Sequence, residues 1–395
     1  MKIGYFITRY PYKDRFDDTE FFERYKHGGA EVAAYHLVNN MAEKGHEIKV
    51  FTTSANSKSL IEKYNNIEIH RYGTNFKIEK GSFSFNLFWK TLRYDVDIVH
   101  THFTTPPGDL AGLWYAKRKK DIPFVVTYHG DGQENYGRFI RRVIVSFHNK
   151  YLLNRVLSHA DVIISPSEYY IGESRFLGKY RDKIVVIPNG INIEDFDISY
   201  SKEECREKLG LQVDKNIILF VGNLIPYKGP DVLIKAMQKI ANEVPDTELV
   251  FVGSGGMRTE LVELSKTLDV GKNVKFAGFV EERLKPLYYK AADVFCLPST
   301  MSTEVFPIVL LEASASGLPM VVSDLDTFKC IIDEGYNGLF TKRRDERDLA
   351  DAIIYLLENE EEREKMGKNG RKKVEDYSWE RIAEETEKVY KRIIT

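Results

Sequence analysis

The chain has 395 residues, of which 43% are hydrophobic and 29% charged, and this length predicts two domains because it exceeds what one core usually organises. Its apolar runs, such as residues 305–311, are far shorter than the roughly 20 residues of a membrane-spanning helix, which excludes a channel. The net charge of −2 is unevenly distributed along the chain. Residues 1–190 carry 28 Lys and Arg against 21 Asp and Glu, a net charge of +7, and the remaining residues carry −9. This difference indicates an anionic partner for the first half.

The amino terminus lacks the long apolar stretch and cleavage site of a signal peptide, and it is predicted to form a buried strand. Three scattered cysteines, Cys205, Cys296 and Cys330, are too few for a disulfide framework or a zinc site, which favours a reducing compartment. We therefore expect a cytoplasmic protein. The only adjacent aspartate pair, Asp17-Asp18, is interpreted as a loop, and no metal is expected.

In the first half, short apolar runs alternate with helical patterns. The predicted strands are residues 3–8, 48–53, 67–72, 97–100, 124–128, 161–165 and 183–187, and the predicted helices are residues 29–44 and 110–119. This alternation is typical of β-α-β units and a parallel sheet.

The pattern restarts after Pro188-Asn189-Gly190. The predicted strands are residues 216–221, 248–252, 274–277, 294–297 and 320–323, and the predicted helices are residues 230–241, 257–268, 284–291 and a segment after Phe306. We predict Rossmann-like domains at 1–190 and 191–377, with the active site in the cleft where they face each other. A charged helix at 378–395 is expected to pack back on the first domain.

The most informative stretch runs from Glu304 to Glu312. Pro307 can occupy the first helical turn, and the N–H groups of Phe306, Ile308 and Val309 would then form an anion site at the helix start. A glutamate carboxylate lies on either side of this anion site, so a diphosphate flanked by two hydroxyl-rich groups would fit the site. The alternative is a half-buried helix with both glutamates solvated. It is disfavoured because Glu312 interrupts an apolar run, where a carboxylate needs a partner.

Three glycine loops follow predicted strands. Gly222 begins a loop that reaches Lys228, and further loops contain Gly253 and Gly28-Gly29. Glycine permits close approach of a ligand to the backbone, and the lysine brings an ammonium to phosphate. The alternative for the Lys228 loop is a surface turn with a solvated lysine.

Six motifs in this order resemble the retaining glycosyltransferases of family four, which have the GT-B fold. The motifs are Gly28-Gly29-Ala30-Glu31, Tyr128-His129-Gly130-Asp131, Ile187-Pro188-Asn189-Gly190, Gly222-Asn223-Leu224 with Lys228-Gly229, Val252-Gly253-Ser254-Gly255, and Glu304 followed by Glu312. The match covers nearly the whole chain.

The resemblance implies an enzyme that moves a glucosyl- or mannosyl-type hexose, with retention, from a nucleotide-diphosphate sugar to an acceptor hydroxyl, without a cofactor. The implied catalytic residues are His129 on the donor sugar, Glu304 on the sugar and phosphate, and Lys228 on the diphosphate. The implied donor-binding residues are Gly28, Gly29, Asn223, Lys228, Gly253, Val280, Glu304, Phe306, Pro307, Ile308 and Glu312, with Glu312 on the ribose and the turn before Val280 against the base.

This sequence departs from the family pattern at two positions. Asn223 stands where the family commonly has an arginine that grips the diphosphate, and an amide lacks its charge and bidentate grip. Either Arg283 or Arg175 compensates, or the donor is held less tightly. Val305 replaces a frequent glycine and would narrow the donor-sugar pocket.

Residues 136–157 form a predicted basic helix with five Arg or Lys and no acid. Arg138, Arg141, Arg142 and Lys150 are the predicted membrane or acceptor contacts, because a basic amphipathic helix can lie on an anionic lipid surface. The alternative is that its apolar side packs against the first sheet. We expect a peripheral enzyme at the inner face of the cell membrane with a lipid-linked acceptor, and no nucleic-acid partner.

Three other functions stay open. The same fold could be a soluble synthase of a disaccharide, sugar phosphate or α-glucan. A second alternative is a non-catalytic two-domain sugar-binding protein, which would not need a buried pair of glutamates. A nicotinamide dehydrogenase would need Gly-x-Gly-x-x-Gly after the first strand, where this chain has only Gly4 inside the strand and a distant Gly28-Gly29.

Overall fold

The computed structural model describes residues 1–15, 18, 20–21, 25, 28–78, 81–104, 106–120, 122–132 and 139–394. The chain divides into two compact units. The first comprises Met1–Gly190 with Trp379–Thr395, and the second comprises Ile191–Ser378. Across the described ranges, every helix is too short or too polar to cross a membrane.

The first unit is built on an eight-stranded sheet, counted over its described residues. The strands are β1 (Lys2–Phe6), β2 (Glu47–Thr53), β3 (Leu60–Tyr64), β4 (Ile67–Tyr72), β7 (Ile98–Phe103), β8 (Phe124–Tyr128), β9 (Val162–Ser165) and β10 (Ile184–Val186), with a separate hairpin of β5 (Phe76–Ile78) and β6 (Gly81–Phe83). Their order is β10-β9-β8-β7-β1-β2-β4-β3. The strands pair in parallel except that β3 runs antiparallel to β4 at the edge.

Helices connect these strands. They are α1 (Gly29–Glu43), α2 (Asn86–Trp89), α3 (Gly108–Arg118), α4 (Phe139–Phe147), α5 (Leu153–His159) and α6 (Glu168–Glu173). A π-helical turn over His148–Leu152 joins α4 to α5. The first helix, α1, buries Leu37, Val38 and Met41 on one face, as expected for an amphipathic helix covering a sheet.

The second unit has a six-stranded parallel sheet in the order β13-β12-β11-β14-β15-β16. Its strands are β11 (Asn216–Val221), β12 (Thr247–Val252), β13 (Val274–Gly278), β14 (Val294–Leu297), β15 (Met320–Ser323) and β16 (Gly338–Thr341). Its helices are α7 (Lys202–Leu209), α8 (Pro230–Glu243), α9 (Arg258–Thr267), α10 (Lys285–Ala291), α11 (Ile308–Ala315), α12 (Glu346–Glu358) and α13 (Glu360–Lys373). The central strands β11 and β14 are apolar except for Asn216 at the start of β11, because helices cover both faces of the sheet.

The last helix, α14 (Trp379–Ile394), belongs to the first unit. Its first residue, Trp379, stacks on His36 of α1 with ring centroids 5.5 Å apart. Gly190 packs so closely on this indole that an added Cβ would lie 2.7 Å from the ring. The Tyr390 hydroxyl lies 2.9 Å from that of Tyr5 in β1.

The predicted α/β class with two parallel sheets is confirmed, and strands 124–128, 216–221, 294–297 and 320–323 have the predicted bounds. The position of Pro307 differs from the prediction: it is the N-cap, and α11 begins at Ile308. The sequence did not predict β3, the β5–β6 hairpin, β16, α7, α12 or α13. The edge strand β3 alternates half-buried and exposed positions, so its residues carry little apolar signal.

Candidate active site

Lys228 and Glu304 form a buried ion pair in the second unit. Lys228 follows the carboxyl end of β11, and Glu304 comes just before α11. The Lys228 ammonium lies 2.7 Å from Glu304 Oε1, and the two side chains are only 11% and 9% exposed. That oxygen accepts no aligned hydrogen bond from the described residues, so the contact is ionic. The structure thus brings together two residues that the sequence predicted for one phosphate site, and Lys228 is not a solvated surface lysine.

The glycines near this pair pack neighbouring loops together. A side chain at Gly253 would clash with the carbonyl oxygen of Gly222, and one at Gly229 would clash with the carbonyl oxygen of Pro298. All three glycines have positive φ, which other residues rarely adopt. The sequence interpretation attributed Gly222 and Gly253 to ligand approach. The structure gives loop packing as a reason for these glycines, and a donor contact at Gly253 stays a prediction.

The start of α11 provides backbone donors. The N–H groups of Ile308 and Val309 lie in the first turn, where an α-helix has no carbonyl to accept them and the helix dipole is positive. The side chains of Val305 and Phe306 are buried, and the Phe306 ring packs 5.9 Å from that of Tyr377. These apolar contacts fix the backbone that leads into the helix, so its donors are held in place before a ligand arrives.

Glu312 is buried and already has two protein partners. Lys285 donates to Oε1 at 2.7 Å, and the Tyr289 hydroxyl donates to Oε2 at 2.6 Å. Burial alone would lower the pKa of Lys285, but the carboxylates of Glu312 and Glu282 outweigh it and raise that pKa. Burial and the Glu312 charge raise the pKa of Tyr289. The reading of Glu312 as a solvated residue is wrong, and its remaining lone pairs can still accept two hydroxyls.

Arg283 and Arg175 are the two predicted substitutes for the charge that Asn223 lacks, and each forms an ion pair with a carboxylate. Asn223 itself is exposed at the β11 end. Arg283 Nε lies 2.7 Å from Glu281 Oε2, and Arg175 of the first unit lies 3.7 Å from Asp131 Oδ2. Because each guanidinium is largely exposed, these ion pairs are weak. Compensation for Asn223 by either arginine stays a prediction.

The turn predicted to meet the base follows β13. Gly278 has a φ of 76° and accepts the Gly253 N–H at 2.7 Å, so this turn is attached to the neighbouring glycine loop. Val280 is partly buried against the core of the second unit. The turn is therefore a fixed apolar surface at the edge of the sheet.

The glycine pair of the first unit lies at the start of α1, where Gly28 is the N-cap and Gly29 the first helical residue. The Gly28 N–H donates to Glu31 Oε2 at 2.9 Å, and Arg9 donates to Glu31 Oε1 at 3.0 Å. The N–H of Gly28 is thus already used within the protein. A phosphate at this helix start would meet the Gly29 amide, with Arg9 as a nearby cation that the sequence had not singled out.

His129 follows β8 and lies against another histidine. Its Nε2 is 2.9 Å from His102 Nδ1, and the two rings stack with centroids 5.2 Å apart. Burial lowers the pKa of His129 to about 4, although the charge of Glu31 acts in the opposite direction. The ring is therefore neutral at pH 7 and can donate one hydrogen bond without carrying charge.

Sequence reasoning missed the supporting residues Arg9, His102, Lys285 and Tyr289. One signal was available: His100 and His102 are two residues apart in a strand, so their side chains share a face. The other partners come from distant segments and leave no local pattern. Among the described residues, no cluster of three His, Cys, Asp or Glu side chains could hold a metal ion.

The predicted membrane residues Arg141 and Arg142 lie in α4, and Lys150 lies in the π-helical turn. Arg138 lies outside the described residues. The apolar side of this segment is exposed rather than packed: Phe139 is 77% and Ile140 66% exposed, and Val143, Phe147 and Tyr151 are exposed as well. The alternative in which this face covers the first sheet is therefore wrong for these residues.

Comparison with known proteins identifies the class. The profile described as "Glycosyl transferases group 1" matches residues 201–373, and that described as "Glycosyltransferase Family 4" matches residues 27–195. The crystal structure of HepE from Anabaena in complex with UDP and glucose has a TM-score of 0.77 at 19% identity and covers 99% of both chains. This likeness shows the GT-B fold, the class of glycosyltransferase fold with two Rossmann-like units.

Two relatives show the family. An uncharacterised glycosyltransferase of Methanocaldococcus jannaschii is 33% identical over 383 residues, which are 92% of this chain and 94% of that protein. The alpha-monoglucosyldiacylglycerol synthase of Streptococcus pneumoniae is 30% identical over 342 residues, which are 83% of this chain and 75% of that protein. The chain belongs to the family four glycosyltransferases. This membership favours a transferase over the sugar-binding protein and the nicotinamide dehydrogenase.

Proposed function

We propose that the protein is a retaining hexosyltransferase that moves a glucosyl- or mannosyl-type sugar from a nucleotide-diphosphate donor to an acceptor hydroxyl. The observation that carries this proposal is the buried Lys228–Glu304 pair just before the first turn of α11. A cation and free backbone N–H groups suit a diphosphate, and adjacent carboxylates suit sugar hydroxyls. The structural relative HepE binds UDP and glucose, which supports this donor class.

The chemistry follows from where charge develops. The bond between the sugar C1 and the diphosphate oxygen breaks, and negative charge builds on the leaving phosphate. Lys228 and the α11 amides would stabilise that charge. The departing phosphate oxygen takes the proton of the acceptor hydroxyl, whose oxygen bonds to C1 on the same face. His129 and Glu304 would hold the donor sugar, and no covalent nucleophile or cofactor is required.

The protein's own contacts set the donor site in advance. Glu304 keeps the Lys228 ammonium in place when no anion is bound, and a diphosphate would share this cation. Lys285 and Tyr289 fix the carboxylate of Glu312 so that its remaining lone pairs can accept the ribose hydroxyls. Such preorganisation reduces the ordering cost that binding would otherwise carry.

A thermal-shift screen against UDP, GDP, ADP and NAD tests the donor class. One nucleoside diphosphate at 100 times its dissociation constant should stabilise the wild type by about 2.7 kcal/mol, and Glu312→Ala should lose this response. The matched control is Glu204→Ala, which removes a hydrogen-bonded carboxylate from the N-terminus of α7 in the same unit and should keep the full response. Stabilisation by NAD alone, or by none of the four compounds, would contradict the proposal.

The exposed face of α4 supports a lipid-linked acceptor. Its apolar residues are bordered by Arg142 and Lys150, which are exposed, and by Arg141. This combination is suited to an anionic lipid surface, where each cation contributes ~1 kcal/mol. The glucosyldiacylglycerol synthase relative carries a lipid acceptor in its name. We place the protein in the cytoplasm, at the inner face of the membrane.

The same unit also exposes an aromatic patch. The hairpin places Phe76 against Phe83 with ring centroids 4.8 Å apart, and Phe85 and Trp89 are more than half exposed. Aromatic side chains of this kind favour the interface between lipid and water.

Vesicle sedimentation tests the membrane assignment. The protein should pellet with anionic vesicles at low salt and be released at high salt, because surface charges are then screened. Val143→Asp places a negative charge on the exposed face of α4 and should abolish pelleting, while Val213→Asp, at an exposed valine of the second unit, should not. Failure of the wild type to pellet would favour the alternative of a soluble synthase.

A further inference from the structure

Three histidines of the first unit form a stack. Ring centroids are 4.6 Å apart for His100 and His102, and 5.2 Å apart for His102 and His129. Burial lowers the pKa of each, to about 3 for His100 and about 4 for His129, so all three are neutral near pH 7. A neutral imidazole carries one N–H. One proton therefore lies between His102 Nδ1 and His129 Nε2, and its position decides what His129 Nδ1 offers to a ligand.

A buried chain of hydrogen bonds leads to this stack. The Tyr5 hydroxyl lies 2.9 Å from that of Tyr390, which lies 2.5 Å from His100 Nδ1, and His100 Nε2 lies 2.7 Å from Thr127 Oγ1. Only one direction gives every hydrogen an acceptor: Tyr5 donates to Tyr390, Tyr390 to His100, and His100 to Thr127. The opposite direction leaves the buried Tyr5 hydrogen without an acceptor among the described residues, which is costly. Thr127 must then donate elsewhere.

A small pocket, open on one side, lies beside Thr127 and gives its hydroxyl space for an acceptor. It measures about 20 Å³ and is lined by Thr127, His102, Thr386, Asn189 and Trp379, among others. This volume suits one water molecule. His102 Nε2 has almost no surface accessible to water and no hydrogen-bond partner within the described part of the chain. An N–H at this atom would be a buried donor without an acceptor, which is rarer and costlier than a buried lone pair.

We propose that the orphaned Nε2 of His102 carries no proton, and that His102 is thereby the positioning residue for His129. The His102 proton then sits on Nδ1 and donates to His129 Nε2. His129 keeps its own proton on Nδ1 and presents an N–H donor. The assignment of a sugar hydroxyl as the acceptor of this N–H rests on the proposed function. The tautomer of His129 does not depend on it.

The direct test is the tautomer of His129, measured by ¹⁵N NMR on the full chain with labelled histidine and assigned with His129→Gln. The wild type should show the Nδ1–H form. His102→Leu removes the donor to His129 Nε2 and should give a mixture of tautomers. Thr386→Val is the matched control, because this hydroxyl already donates to the Ile382 carbonyl at 2.8 Å, and it should leave the tautomer unchanged. A wild-type Nε2–H form, or an unchanged tautomer in His102→Leu, overturns the proposal.

Kinetics separate positioning from a packing role. His102→Leu should lower kcat on the order of tenfold with little change in the KM of the donor, since one oriented hydrogen bond is lost. His102→Asn retains an N–H donor near the Nδ1 position and should recover most of that loss and the wild-type tautomer. Equal kcat losses in both variants would overturn the proposal. If no nucleotide stabilises the protein, the proposed function fails, while the NMR result on His129 still decides the tautomer.

Discussion

Lys228→Met is expected to lower kcat/KM for sugar transfer by ~10²–10³, with most of the loss in kcat. The ammonium is the buried cation of the proposed diphosphate site and lies 2.7 Å from Glu304. Its attraction to the donor grows as the C1–O bond breaks, because charge accumulates on the leaving phosphate. Methionine keeps the length and apolar character of the chain, but it leaves the buried Glu304 without its counter-charge, so stability must be measured beside activity.

The measurement is the initial rate of transfer with the donor identified by thermal shift. Lys228→Arg should lose less, since it keeps the charge but changes its geometry. Lys235→Met is the control: this exposed lysine of α8 pairs with Asp231 and should retain wild-type activity. The unfolding midpoint of each variant shows whether the fold survives. A folded Lys228→Met enzyme with the wild-type rate would exclude Lys228 from the diphosphate site.

Asp293→Ala is expected to destabilise the second unit by about 3–5 kcal/mol, as for other broken buried ion pairs. The buried Asp293 carboxylate accepts from Arg206 at 2.7 Å, from Lys202 at 2.8 Å and from the Ile217 N–H at 2.7 Å. The first two residues lie in α7 and the third in β11, so one carboxylate ties the helix to the sheet. Its removal leaves the buried Arg206 guanidinium without its counter-charge.

Chemical denaturation, followed by a probe of the second unit, measures this effect as a shift in midpoint. The matched control is Asp351→Ala in α12, which breaks an exposed ion pair with Lys239 and should shift the midpoint little. Equal shifts for the two variants would contradict the assignment of Asp293 as the buried anchor of α7.

Much of the fold could be predicted because its signal is local. The alternation of apolar strands and helices predicts two parallel sheets, and strands such as Phe124–Tyr128 were predicted to the residue. Glu312 could be identified as a buried carboxylate because it interrupts the apolar face of its own helix. The short antiparallel strand Leu60–Tyr64 could not be predicted, because its stability depends on pairing with β4 rather than on its own apolar residues.

The sequence by itself determined the α/β class and the family, and it predicted the donor-site residues Lys228, Glu304 and Glu312. Their partners were decided only by the tertiary structure. Lys285 lies 27 positions from Glu312, and His102 lies 27 positions from His129, although each pair makes a direct contact. Contacts of this kind depend on which strands and helices become neighbours in space, and a linear pattern of residue types does not contain that information.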